Sequence, residues 1–219
     1  AIAVPFFLIS TNVRLAVNSP RLYDYGFNKY AIMEKTNIGS DQLREAGQQI
    51  RDYFNSDENF LTVRVLLNGV YVYNLYNTRE VLHMKDVKSL IRGIYLTQSV
   101  TGIYLVAFAV AVFLIRRKTW LADFSQCVLL GCGITLLMVL LAGVSALMDF
   151  DRLFLTFHLV SFTNDLWQLD PKTDYLIAMF PQGFFLDATI LIAASTIFES
   201  LVLGAACIGL KKLTRAAQP

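Results

Sequence analysis

Histidine is scarce in this chain. Among 219 residues there are two, His83 and His158. Cysteine is almost as rare, and Cys127, Cys132 and Cys207 all fall in apolar runs, where they read as small packing residues rather than redox or metal groups. No Gly-x-Ser-x-Gly elbow, phosphate-cradling P-loop or His-Glu-x-x-His zinc helix is found. The chain therefore carries no ready-made nucleophile motif. Net charge is only +2 and no basic helix alternates with stacking aromatics, which excludes nucleic acid as a partner. Low-complexity sequence and solenoid repeats are also missing.

Apolar residues are abundant. They make up 55% of the chain, mean hydropathy is +0.50, and stretches of 20 or more predominantly apolar residues select the membrane class. Residues 1–18 read as the outer part of a first transmembrane helix whose beginning is missing, with a signal peptide as the rival reading. Asn12 and Arg14 sit near its exit, either snorkelling to headgroups or facing a polar cavity. Spans two, three and four are expected at 89–115, 119–148 and 184–210. Arg116-Arg117-Lys118 and Lys211, Lys212 and Arg215 mark cytoplasmic ends, and residues 211–219 form a cytoplasmic tail. The fold class is thus an α-helical integral membrane protein with four transmembrane helices, and both long connecting segments lie outside.

The first of these segments, 19–88, is expected to be a small extracytoplasmic α+β domain. It carries nine basic and nine acidic residues. Ser40 can cap a helix from Asp41 to about Asn55, with Leu43, Ala46, Ile50 and Phe54 on one face. Leu61–Leu67 and Val70–Leu75 flank Asn68-Gly69, a hairpin signal. Asn77 and Glu80 permit a capping box opening a helix that puts Arg79, His83, Asp86 and Leu90 on one face. The second segment, 149–183, starts with Asp149 or Asp151 as a cap. Its apolar piece Asp151–Phe162 is too short to span, so it reads as an interfacial or re-entrant helix. His158 shares a face there with Asp151, Leu155 and Phe162, while Trp167, Tyr175 and Phe180 suit the headgroup belt.

Neutral imidazoles exchange protons near pH 7. The pair on one side of the membrane therefore points to acid–base chemistry, with structural histidines or a two-histidine metal site as competing readings. Glu199, near the middle of the fourth span, is either a functional ionisable group or a protonated packing residue. Asp187 lies nearer the outer mouth and could face the site.

The strings Tyr76-Asn-Thr-Arg-Glu-Val-Leu-His-Met-Lys-Asp-Val-Lys88, Phe157-His158, Ser161-Phe-Thr-Asn-Asp-Leu-Trp167, Leu169-Asp-Pro171, Asp174 and Phe180-Pro181 resemble the bacterial lipoprotein intramolecular transacylases over nearly the whole chain. The resemblance implies a membrane acyltransferase acting on diacylglyceryl-modified lipoproteins. The sn-2 acyl chain would move to the α-amine of the same cysteine, giving the lyso form, with His83 and His158 as the essential pair. It implies a bacterial cytoplasmic membrane protein with its site at the extracytoplasmic face. No cofactor and no metal is called for, and the partners are the lipoprotein and membrane lipid. Supporting roles fall to Glu80 or Asp86 in fixing the His83 tautomer, and to Arg79, Asn164 and Arg14 in carbonyl or oxyanion contacts, with Asp165 beside them. Phe154, Phe157 and Phe162 would face the acyl chains. A non-catalytic lipid-binding or assembly factor, or a proton-coupled transporter using Glu199, are the alternative readings.

Overall fold

A computed structural model describes residues 1–67 and 69–216. In chain order the elements are α1 (Ala3–Val17), α2 (Pro20–Lys29), α3 (Ile32–Thr36), α4 (Ser40–Asn55), β1 (Val65–Leu67), β2 (Val70–Val72), α5 (Thr78–Ile115), α6 (Trp120–Met148), α7 (Phe150–Ser161), α8 (Tyr175–Met179) and α9 (Gln182–Ala216). They group into two compact units. Of the described residues, one holds those in 1–14, 94–148 and 190–216, and the other those in 15–93 and 149–189.

The first unit is built from apolar helices. α5, α6 and α9 are long and apolar enough to cross a membrane, whereas α1 has 15 residues. Apolar side chains such as Ile103, Val106, Leu140, Leu141 and Phe198 stay exposed, as lipid-facing positions must. Close packing comes from small residues. Gly131 lets Val4 approach so nearly that a Cβ there would meet it at 2.5 Å, and Val4, Leu8 and Cys132 form a buried cluster. Polar groups inside the unit are paired. Asn12 Nδ2 donates to Leu8 C=O (3.1 Å), Thr196 Oγ1 (3.2 Å) and Glu199 Oε2 (2.7 Å), tying α1 to α9. Glu199 therefore takes part in helix packing. Arg14 donates to Gln98 Oε1 at 2.9 Å and lies over the Tyr95 ring.

The second unit has a conventional core. Ile32, Ile38, Ala46, Ile50, Leu61, Val63 and Val65 are almost fully enclosed. α4 buries Leu43, Ala46, Ile50 and Phe54 along the expected face, but Ser40 lies inside the helix and Gly39 is its N-cap, so the serine cap does not form. The hairpin exists with shorter strands than expected, because only the three register pairs from Val65↔Val72 to Leu67↔Val70 are formed. Gly69 adopts φ +79°, the conformation a tight turn requires, and Asn68 lies outside the described residues. The helices α2 and α3 were not anticipated. Pro20 at the first turn and the buried row Leu22, Tyr23, Gly26 and Phe27 are the signals that mark α2. Gly26 is required there, since a Cβ would stand 2.4 Å from the Phe184 ring. Tyr23, Phe27, Phe180 and Phe184 form an aromatic cluster of edge-to-face and tilted rings around that point.

Candidate active site

The position of His83 begins with a cap. Asn77 N–H donates to Glu80 Oε2 at 2.7 Å and Glu80 N–H donates to Asn77 Oδ1 at 3.1 Å, so the reciprocal box forms as the sequence suggests. This fixes the start of α5 at Thr78 and sets Arg79, His83 and Asp86 on successive turns of one face. α7 is set the same way. Asp149 accepts a hydrogen bond from Arg152 N–H, and His158 falls in the last turn. The backbone turns extended at Phe162, and Asn164 Oδ1 accepts from Leu166 N–H at 3.0 Å, bringing the chain back so that Trp167 covers the His158 ring at 5.0 Å.

The two histidines are neighbours. Their ring centroids are 6.2 Å apart with planes 29° from parallel, and no hydrogen bond among the described residues joins them. His83 is 7% exposed and His158 8%. Phe162 touches both rings edgewise or tilted, at 5.1 and 5.7 Å, and Phe154 and Phe157 stand at 4.4 and 5.3 Å from His158. The pair thus sits in an aromatic enclosure. Trp167, expected at the headgroup belt, is part of it.

The ring nitrogens differ. His158 Nδ1 lies 2.7 Å from Phe154 C=O, and since a carbonyl only accepts, Nδ1 carries the proton and Nε2 the lone pair. His83 Nδ1 is buried with no hydrogen-bond partner among the described residues. Burial, reinforced by the neighbouring His158 and only partly offset by Asp86, pulls the His83 pKa down to about 4. Burial also lowers that of His158, against the Phe154 hydrogen bond. Both rings are therefore neutral at pH 7, where a proton acceptor is available.

The supporting residues divide. Both Glu80 oxygens are used for structure, Oε1 accepting from Leu176 N–H at 2.6 Å and Oε2 from Asn77, so Glu80 holds α5 to the start of α8. Asp86 accepts from Asn164 Nδ2 at 2.9 Å. The tautomer-fixing role expected of either carboxylate toward His83 Nδ1 is thus not made. Arg79 Nη2 donates to Asp165 C=O, and the Asp165 side chain accepts from Gln168. With Asn77 Nδ2 to Asp174 Oδ1 (2.8 Å), these bonds fasten the first turns of α5, before and after His83 in the chain, to residues 164–176. Arg14 belongs to the other compact unit, engaged with Gln98. Asp187 accepts from Lys29 and Tyr30 at 2.8 Å instead of facing the site. An open cavity of about 360 Å³ lined by Tyr23, Asp24, Arg44 and Arg51 includes neither histidine. The sequence reading missed the Phe154 carbonyl. Its i, i+4 spacing from His158 on a helix was the available signal.

No curated protein matches the chain. Among solved structures, the chain is similar to the membrane-integral lipoprotein intramolecular transacylase Lit from Bacillus cereus. The TM-score is 0.81 and identity 20%, covering 98% of this chain and 94% of that one. A variant of the same protein with a histidine changed to arginine matches with a TM-score of 0.76 and 19% identity, over 99% and 91% of the two chains. These likenesses establish a shared fold. The family profile described as lipoprotein intramolecular transacylase Lit matches residues 1–185. The chain belongs to this family of membrane-integral transacylase enzymes.

Proposed function

We propose that the enzyme moves the sn-2 acyl chain of a lipoprotein's diacylglyceryl-cysteine to the α-amine of that cysteine, with His83 and His158 exchanging the protons. The observation that carries this reading is the 6.2 Å approach of the chain's two histidines inside an aromatic enclosure. Amine and ester belong to one substrate, so the enzyme needs no nucleophile of its own. Holding the two in attack geometry is worth up to about 7–11 kcal/mol in the best intramolecular cases.

The amine nitrogen attacks the ester carbonyl, and the bond from that carbon to the glyceryl oxygen breaks. An α-amine has a reference pKa of about 7.7–8.0, so a base must collect its proton. His158 takes this role, because its lone pair is on the free Nε2 while Phe154 holds Nδ1–H. The proton taken up by His158 is passed through the neighbouring His83, which accepts it on one ring nitrogen and gives one up from the other, to the departing oxygen, so that both rings end neutral as they began. Like charges at this separation disfavour double protonation, which keeps at most one imidazolium in the pair. Arg79 and Asn164 act through the loop they hold, and Phe154, Phe157 and Phe162 support the acyl chains. Asp86 and Asp165 anchor the same loop.

Four spans and an extracytoplasmic site complete the reading. α1 rises about 22 Å, short of the roughly 30 Å hydrocarbon core, and counts as a span together with its flanking residues. Arg116, Arg117 and Lys118 and the basic residues near the end of α9 favour the cytoplasmic side, which assigns 19–88 and 149–183 to the outside.

The test is expression in a bacterium that makes only diacylglyceryl lipoproteins, followed by mass spectrometry of a reporter's N-terminus. N-acyl, S-monoacylglyceryl cysteine is expected. Free amines in membranes that contain the protein in quantity would overturn the reading.

A further inference from the structure

We propose that the outer edge of β2 binds, as an added strand, the stretch of polypeptide that follows the lipidated cysteine of the lipoprotein. The inference rests on the transacylase reading above and names how the protein part of that substrate is held.

The two edges of the hairpin are finished differently. On the far side of β1, Gln42 Oε1 accepts from Leu66 N–H at 2.7 Å. Gln49 accepts from Arg64 N–H at 2.9 Å and donates to Arg64 C=O at 3.0 Å, and Ile38 bridges to Leu67. Side-chain amides of α4 thus stand where another strand would. Leu66 is opposite Tyr71, and because Leu66 turns its N–H to Gln42, the two form a non-hydrogen-bonded pair. Tyr71 accordingly turns its own N–H and C=O outward, on the edge that no described residue covers.

An open donor and acceptor in register form a template for one more strand. Lipid is the wrong neighbour, since unpaired backbone groups cost several kcal/mol in hydrocarbon. On one face of the hairpin Leu66, Tyr71 and Tyr73 are 48%, 62% and 64% exposed, and Arg64 Nη2 donates to the Tyr73 hydroxyl at 3.2 Å. That face can cover alternate side chains of an added strand without demanding particular ones. Main-chain pairing suits substrates defined by the lipid on their first residue, because the backbone is what their following sequences share.

The edge is also within reach. From Tyr71 to Thr78 the chain spans at most about 25 Å. From Thr78 to His83 the helix rises about 7.5 Å. Roughly ten extended residues leading from a cysteine at the histidines cover the sum.

The test uses the purified full chain in bilayer discs with synthetic diacylglyceryl-cysteine peptides of about two and about twelve residues, the longer one also N-methylated at alternate positions. The wild-type enzyme should show the lower KM for the long peptide, and methylation should raise that KM about 3- to 10-fold, the value of a lost hydrogen bond. Tyr71→Pro, which deletes the outward N–H at an edge position where proline is tolerated, should narrow the long-to-short advantage similarly. Equal wild-type KM for the long, short and methylated peptides overturns the proposal whether or not the variant folds. A folded Tyr71→Pro protein that keeps the full length dependence also overturns it, as do equal losses on both lengths, the pattern of a hairpin docked on the lipid surface. Failure of the wild type to convert any peptide would instead bring down the transacylase reading, and this proposal with it.

Discussion

The Nδ1–H of His158 is held on the carbonyl of Phe154, four residues earlier on the same helix, at 2.7 Å. A backbone acceptor inside α7 therefore selects the tautomer, and no carboxylate is spent on it. The ring's other nitrogen is left to accept a proton, in the enclosure that also contains His83.

Removing either imidazole should nearly stop the proposed reaction. His83→Ala and His158→Ala are each expected to lower conversion of a reporter lipoprotein by about 10²–10⁴, the usual worth of a placed acid or base. The double variant should be little worse than either, because the rings act as a unit. N-terminal mass spectrometry on membranes with matched protein levels reads this out, and near-normal conversion by one single variant would dismantle the paired scheme.

Stability should fall with acidity in a defined window. The His83 pKa is lowered from 6.5 to about 4 by folding, so between these values the unfolded chain binds more protons. This contribution is fully present above about pH 6.5 and is lost progressively toward pH 4. His158, shifted in the same direction, adds to it. Melting temperatures in detergent from pH 7 to 4 should drop more steeply for wild type than for His83→Phe. Parallel curves would show that His83 is not held neutral.

Glu80→Gln should destabilise the second unit although it is nearly isosteric. Both carboxylate oxygens accept backbone N–H groups, from Asn77 and Leu176. A carboxamide keeps one acceptor and turns an NH₂ on the other N–H, leaving a buried donor unmatched at a cost of about 1–3 kcal/mol. A lowered melting temperature is expected, and an unchanged one would mean that the tie between α5 and α8 carries little.

The Asn12–Glu199 bond is a test of the bland role for an intramembrane carboxyl. Asn12→Leu should cost about 0.6–1.7 kcal/mol, the range for polar bonds between membrane helices. Glu199→Gln, which still offers an oxygen to Asn12, should melt close to wild type and keep its conversion activity. Loss of activity in Glu199→Gln without loss of stability would assign Glu199 a proton-handling role instead.

Elements with a local signature were readable in the sequence. The Asn77–Glu80 box, the Asp149 cap and the long apolar runs are set by neighbours within a few residues, and the helices they predict form. One local signal misled, since Ser40 offered a cap but the cap position fell one residue earlier, on Gly39. The other failures were non-local. Glu80 and Asp86 looked like partners for His83, since each is three residues away, yet Leu176 and Asn164, 96 and 78 residues distant, hold them instead. α2 went unread because its apolar row is short, and its reason for existing, the aromatic cluster with Phe180 and Phe184, comes from the other end of the chain. The approach of the histidines was inferred from topology and motif strings. Their distance, and the use of a backbone carbonyl, needed coordinates.

The unpartnered Nδ1 of His83 has a consequence for anyone engineering this protein. A phenylalanine would match the surrounding rings and ask for no hydrogen bond. Selection for heat resistance alone, with no assay for conversion, should therefore discard this histidine among the first changes and return a sturdier protein that does nothing.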